Sequence, residues 1–243
     1  QPPCPHFCVC GGCAWKDAFY SEQLTRKSHE VASFFVEAWR QDVNVTPSPV
    51  VWHYRNKMDF SFGRKFYDEP PPRDFIRETV LGFSRKGRWF HLLDLSTCHI
   101  APRGMGELLD SVRRWAVTQG LRGFDTRTRE GLLRILLVRE GIRTGQKMVV
   151  LITGDGNIDE HAFLDEVGTT YTADSVHRAI ATGGANVAFA ETTEILSGSP
   201  VIEEEMHIRS GDSEKRLRFR ISPFSFFQTN TLAAELLYSR IRE

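Results

Sequence analysis

Along residues 16–41, apolar side chains recur at helical spacing (Ala18-Phe19, Leu24, Val31, Phe34-Phe35, Ala38-Trp39), which predicts one long amphipathic helix. Pro47 and Pro49 end it, since proline cannot donate to a helical ladder. Beyond them the period drops to two. Residues 50–52 and 54–66 read as strands, with Met58, Phe60 and Phe62 alternating against Asp59 and Ser61. A proline-rich loop at 69–72 leads to two more expected strands, 79–84 and 89–95, joined around Lys86-Gly87 as an antiparallel meander.

A second helix is predicted over 104–119 from Leu108-Leu109, Val112 and Trp115-Ala116. Residues 132–138 and 147–152 form a strand pair turned at Thr144-Gly145, and 159–167 a short helix. No period dominates residues 169–184. Strands follow at 186–190, 201–208 and 216–221, then a helix at 231–241. The expected fold class is α+β, a largely antiparallel sheet flanked by helices.

Composition narrows the class. With 243 residues, 41% of them hydrophobic and 17 of them Phe, the chain can build a sizeable packed core. No apolar run approaches the roughly 18 residues that a membrane span needs, and no charged-then-apolar leader opens the chain, so no membrane partner and a cytoplasmic location are expected. Net charge is zero, but residues 1–150 hold 23 Lys/Arg against 16 Asp/Glu and residues 151–243 hold 8 against 15. A local excess of that kind can face phosphates, although on charge alone an ordinary mixed surface is the better account of it.

The cysteines carry the sharpest chemistry. Cys4, Cys10 and Cys13 lie in one short loop with Gly11-Gly12 between the last two, and Cys98 is remote. Five cysteines with this clustering suit a reduced, metal-binding chain rather than a disulfide framework. Structural zinc usually pairs two knuckles, whereas three near thiolates and one distant one are common around an iron-sulfur cubane. Spacing alone favours iron-sulfur without deciding it. Cys8 sits inside the same loop and could by its place replace one of these ligands, and His6 packs beside Phe7.

These residues resemble the iron-sulfur-containing RNA 5-methyluridine methyltransferases, whose loop reads C-x(5)-C-G-G-C followed by Tyr, Gln-Leu and Lys, here Tyr20, Gln23-Leu24 and Lys27. Further matches are Tyr54-Arg55-Asn56-Lys57-Met58, Cys98, Leu133-Arg134 with Val138-Arg139, and Ser222-Pro223 with Phe226-Phe227-Gln228-Thr229-Asn230. One departure is Cys8, where the family usually has glycine, so the resemblance implies that Cys8 is a bystander rather than a ligand. The resemblance implies a 4Fe-4S cluster on Cys4, Cys10, Cys13 and Cys98, RNA contact (rRNA or tRNA) by Arg55 and Lys57, and S-adenosylmethionine contact by Gln228. It implies residues 1–221 as a central RNA-binding and iron-sulfur domain and 222–243 as the start of a methyltransferase domain. The protein is expected to be a monomer.

By residue type alone, Tyr54 to Lys57 suits phosphate holding and base stacking, or equally a solvated edge strand. The Gly154-Asp-Gly156 turn lacks the third glycine and the later acidic residue of a dinucleotide loop and reads as an ordinary turn. The family's Asp-Pro-Pro, Ser-Cys-Asn-Pro and C-terminal Glu segments do not occur in these 243 residues. No catalytic residue is therefore assigned, and the expectation is a central-domain fragment, inactive alone, of a uridine-C5 methyltransferase. A zinc- or iron-sulfur-stabilised nucleic-acid-binding module without catalysis is the alternative.

Overall fold

A computed structural model of the chain describes residues 4–15, 17–39, 41, 43–69, 71–72, 75 and 77–242. Its elements run α1 (Tyr20–Phe34), β1 (Lys57–Arg64), β2 (Thr79–Arg85), β3 (Arg88–Asp94), α2 (Met105–Thr118), β4 (Leu133–Glu140), β5 (Lys147–Thr153), α3 (Glu160–Thr170), β6 (Ser175–Ile180), β7 (Thr192–Gly198), β8 (Ile202–Ser210), β9 (Ser213–Ile221) and α4 (Thr231–Arg242). Seven strands form one sheet in the order β3-β2-β1-β4-β5-β6-β7, and β8 and β9 make a separate ribbon.

The central strands are apolar on both faces because each face is covered. Phe60, Leu81, Leu136 and Val149 pack with Leu108, Val112 and Trp115 of α2 and Phe163 of α3. On the other face, Ile135, Leu137, Val150 and Ile152 meet Ile202 and Ile221 of the ribbon, with Phe224 and Phe227 against them. Asp159 accepts the Ala162 N–H at 2.9 Å and caps α3.

A large sheet flanked by helices is what the pattern predicts, but the sheet is mixed. β1/β2, β1/β4, β2/β3, β4/β5 and β6/β7 are antiparallel, whereas β5 and β6 run parallel, joined by α3 as a crossover. The crossover was not expected because β6 carries Ser175, His177 and Arg178, whose polarity hides a fully buried strand. Residues 51–53 are bends rather than a strand, and the strand expected at 186–190 lies instead at β7, an exposed edge whose burial is too slight to leave a clear pattern.

The first helix is also shorter than its pattern. α1 stops at Phe34 and buries none of its residues. Its tethers are polar: the Ser48 N–H donates to the Tyr20 hydroxyl at 2.7 Å, and Ser28 donates to the Val43 carbonyl at 2.6 Å. Positions 16 and 40 of the expected helix, and Pro70 of the expected loop, lie outside the described residues.

Candidate functional site

The cysteine loop is built onto the β2–β3 hairpin. Gly11 N–H donates to the Ser84 carbonyl at 2.9 Å, and Lys86 N–H to the Val9 carbonyl at 2.8 Å. A Cβ at Gly11 would stand 2.9 Å from that same Ser84 oxygen, so only glycine allows the approach. The hairpin's last strand, β3, leads to Cys98 four residues beyond its end, opposite the loop.

Cys4, Cys10, Cys13 and Cys98 all line one cavity of about 110 Å³. Cys8 does not line it; it is exposed and holds φ at 69°, a left-handed conformation that explains why glycine suits this position. No disulfide links any of the five. Burial pushes the Cys10 thiol up, the Gly12 N–H at 3.3 Å from its sulfur opposes this, and the neighbouring Cys98 and Cys4 push it further. Among the described residues, no three His, Cys, Asp or Glu side chains are arranged to hold a single metal ion. The thiols surround a space rather than converge on a point.

His6 does more than pack beside Phe7. Its Nε2 accepts the Ser96 N–H at 3.1 Å and lies 3.1 Å from the Ser96 hydroxyl, tying the loop to the segment that carries Cys98. Burial holds His6 below the usual histidine range, with Asp94 opposing and His99 adding to the shift. A neutral ring suits an acceptor.

Arg55 and Lys57 diverge. Arg55 lines the thiol cavity, and its Nε is buried with no hydrogen-bond partner among the described residues. Lys57 opens β1 and pairs with Asp59 at 3.4 Å. Between them Asn56, 4% exposed, points the other way: its Nδ2 donates to the Gln228 carbonyl at 2.7 Å and to Thr231 Oγ1 at 2.9 Å. Successive residues thus serve the cysteine cavity and the Gln228 segment.

That segment is held from beneath by a buried cation. Arg139 Nη1 donates to the carbonyls of Ser222 at 2.8 Å, Pro223 at 3.1 Å and Ser225 at 2.8 Å. Burial pushes Arg139 down to about 10, with Asp59 opposing, so it stays charged at neutral pH. Asn230 Oδ1 accepts the Ala233 N–H at 3.1 Å at the start of α4. Phe227 stacks edge-on against Phe219 at 5.3 Å, while Phe226 is 85% exposed. The Gln228 amide itself makes no hydrogen bond to a described residue and is half-buried. Asn56 and Arg139 were legible only as parts of motifs; their anchoring roles become visible once the chain is folded.

No family model matches the chain. It is 30% identical over its whole length to a protein described as an uncharacterized RNA methyltransferase of Caldanaerobacter subterraneus, covering 52% of that protein. It is 33% identical over 99% of its length to another so described from Chlorobaculum tepidum, covering 51% of it. The chain spans about half the length of the curated relatives it matches. Among solved structures, the Pyrococcus abyssi tRNA (uracil-54, C5)-methyltransferase in complex with S-adenosyl-L-homocysteine superposes with a TM-score of 0.70 at 24% identity, over 96% of this chain and 50% of that one. At that identity the likeness is one of fold.

These comparisons do not support the expected lack of activity, since the whole of this chain aligns with proteins described as RNA methyltransferases. Among the described residues no helix is long and apolar enough to cross a membrane. At the Gly154 turn, Arg178 binds the Gly156 carbonyl and pairs with Glu160 at 3.0 Å, and Gly154 N–H donates to the Leu132 carbonyl at 2.7 Å. Its polar groups are spent on the fold.

Proposed function

We propose that the protein serves the S-adenosylmethionine-dependent methylation of uridine C5 in RNA, rRNA or tRNA, and that Cys4, Cys10, Cys13 and Cys98 hold a 4Fe-4S cluster. The observation that carries this reading is the cavity. Four cysteines, one of them remote in sequence, surround it, and the fifth is left outside. A space of about 110 Å³ suits a multi-iron group better than one zinc ion, whose thiolates sit about 2.3 Å from the metal. Arg55 Nε, buried at the cavity wall without a partner among the described residues, suits the negative charge that such a group brings.

Bound there, the cluster supplies structural cross-linking between the loop and the segment after β3. The names of the relatives and of the fold neighbour support the RNA substrate and the methyl donor. In this reading residues 1–221 contact RNA, with Arg55 and Lys57 on that side, and Gln228, at the start of a methyltransferase part from 222, meets the donor or the base. A Gln amide offers one acceptor and two donors for either task.

The test is anaerobic purification followed by iron, sulfide and zinc analysis, with a radiolabelled methyl-transfer assay on unmodified RNA. About four irons per chain and label fixed at uridine C5 are expected. Zinc alone, with no label transferred, would leave the non-catalytic binding module as the better reading.

A further inference from the structure

We propose that the tip of the β2–β3 hairpin is a docking surface for single-stranded RNA, with Phe90 as its base-stacking platform and Arg85, Lys86 and Arg88 as its phosphate contacts. This inference rests on the RNA reading above and assigns it a place. Three cations fall within four residues around Gly87, whose φ of 74° makes the turn. None of the three forms an ion pair with a described residue. Of the nearby carboxylates, Asp94 accepts from Arg113 at 2.8 Å and from the Leu81 N–H at 2.9 Å, Glu78 pairs with Lys65 at 2.8 Å, and Asp68 acts on His91.

The aromatic part is layered. Phe66 stacks on His91 at 3.6 Å between centroids, and Phe90 meets His91 edge-on at 4.4 Å. Phe90 remains 64% exposed. Burial and the neighbouring Arg88 and Arg85 hold His91 below the usual histidine range, so it supports the stack as a neutral ring. β3 is the end strand of the sheet. Charges that merely guard such an edge against pairing account for the cations, but guarding does not call for an exposed phenylalanine beside them. An unpaired base offers a π-face to Phe90 while its backbone offers phosphates to the tip; a duplex hides its bases.

The hairpin is also the element to which the cysteine loop is hydrogen-bonded, through Ser84 and Lys86. The surface is therefore held in place by the same loop that encloses the thiol cavity.

The experiment uses the full chain and fluorescence anisotropy with a labelled uridine-containing single-stranded RNA and a matched RNA duplex over a salt series. For the double variant Lys86→Gln/Arg88→Gln, the slope of log affinity against log salt should flatten by about 1.4, roughly 0.7 for each lost phosphate contact. Phe90→Leu should weaken single-strand binding on the order of tenfold with the slope kept, Phe90→Tyr should restore it, and duplex binding should not change. Lys215→Gln, on the ribbon, is the control and should bind as the parent does. If the parent binds single strands and every hairpin variant matches it, RNA docks elsewhere and this inference fails while the broader reading stands. If the parent binds no RNA, both fail.

Discussion

Asn56 Nδ2 and Thr231 Oγ1 meet at 2.9 Å although 175 residues separate them. The contact continues inward, because the Thr231 hydroxyl donates to Glu204 at 3.0 Å and Glu204 also accepts the Ile142 and Arg143 N–H groups. One amide therefore joins the entry of β1 to α4 and, through a buried carboxylate, to the β4–β5 turn.

Asn56→Ala should consequently lower stability by about 1–3 kcal/mol, since it strands the Gln228 carbonyl and removes a buried donor. Urea denaturation should show a lower midpoint with an unchanged m-value. Asn56→Asp, the same size but unable to donate, should be at least as damaging at neutral pH. Recovery of the parental midpoint in the Asp variant would show that shape rather than donation matters.

Tyr171 and Glu140 give a pH-dependent prediction. The Tyr171 hydroxyl donates to Glu140 Oε2 at 3.0 Å, and burial raises the Glu140 carboxyl above its usual range while this hydrogen bond and Lys147 pull it down. A carboxyl raised in the folded state favours folding below its unfolded pKa of about 4.3, and that contribution is lost as pH climbs through the folded value. Tyr171→Phe takes away a group that stabilises the carboxylate, so its cost, about 1–3 kcal/mol, should be larger near pH 8 than near pH 4. A cost independent of pH would mean that Tyr171 acts through packing alone.

Much of this fold could be read in advance where one face, or both, is uniformly apolar. β1, α2, the β4–β5 pair and α4 fall close to their expected bounds because Met58, Phe60 and Phe62, or Leu108, Val112 and Trp115, declare a period. β6 escapes because its core positions include His177 and Arg178: Arg178 pairs with Glu160 and His177 Nε2 meets Ser175, while His177 Nδ1 has no partner among the described residues. α1 is shorter than its pattern because a helical apolar pattern states what could be buried, and here none of the helix's residues is fully buried. In the site, the gathering of Cys4, Cys10 and Cys13 with the remote Cys98 at one cavity is legible from the loop motif and the family resemblance, whereas the position of Arg55 at the cavity and the Arg139 cradle depend on three-dimensional neighbours far along the chain.

The two classes of cysteine should separate cleanly. Cys98→Ser removes one wall of the cavity and should abolish bound iron in anaerobic preparations and lower thermal stability, as metal binding contributes to folding. Cys8→Gly should keep iron and raise stability by up to about 1 kcal/mol, because glycine relieves a left-handed backbone at φ 69°. Iron loss in Cys8→Gly would place Cys8 among the ligands and overturn the assignment.

Gln228 presents the opposite case to Asn56, its hydrogen-bond partner 172 residues away in the chain. Its backbone carbonyl is fixed by Asn56, but its side-chain amide is half-buried and bonds to no described residue. Truncation therefore has little to remove from the fold, and Gln228→Ala should change stability by no more than about 0.5 kcal/mol. If the amide reads the methyl donor or the uracil edge, losing one hydrogen bond worth about 0.5–1.5 kcal/mol should weaken binding or kcat/KM by roughly 2- to 13-fold. Gln228→Glu keeps the acceptor and loses both donors, so a similar loss in Glu and Ala assigns donation as the working contact, while recovery in Glu assigns acceptance. A midpoint in urea that falls as far as that of Asn56→Ala, with RNA and S-adenosylmethionine affinity unchanged, would make Gln228 a structural residue and remove it from the site.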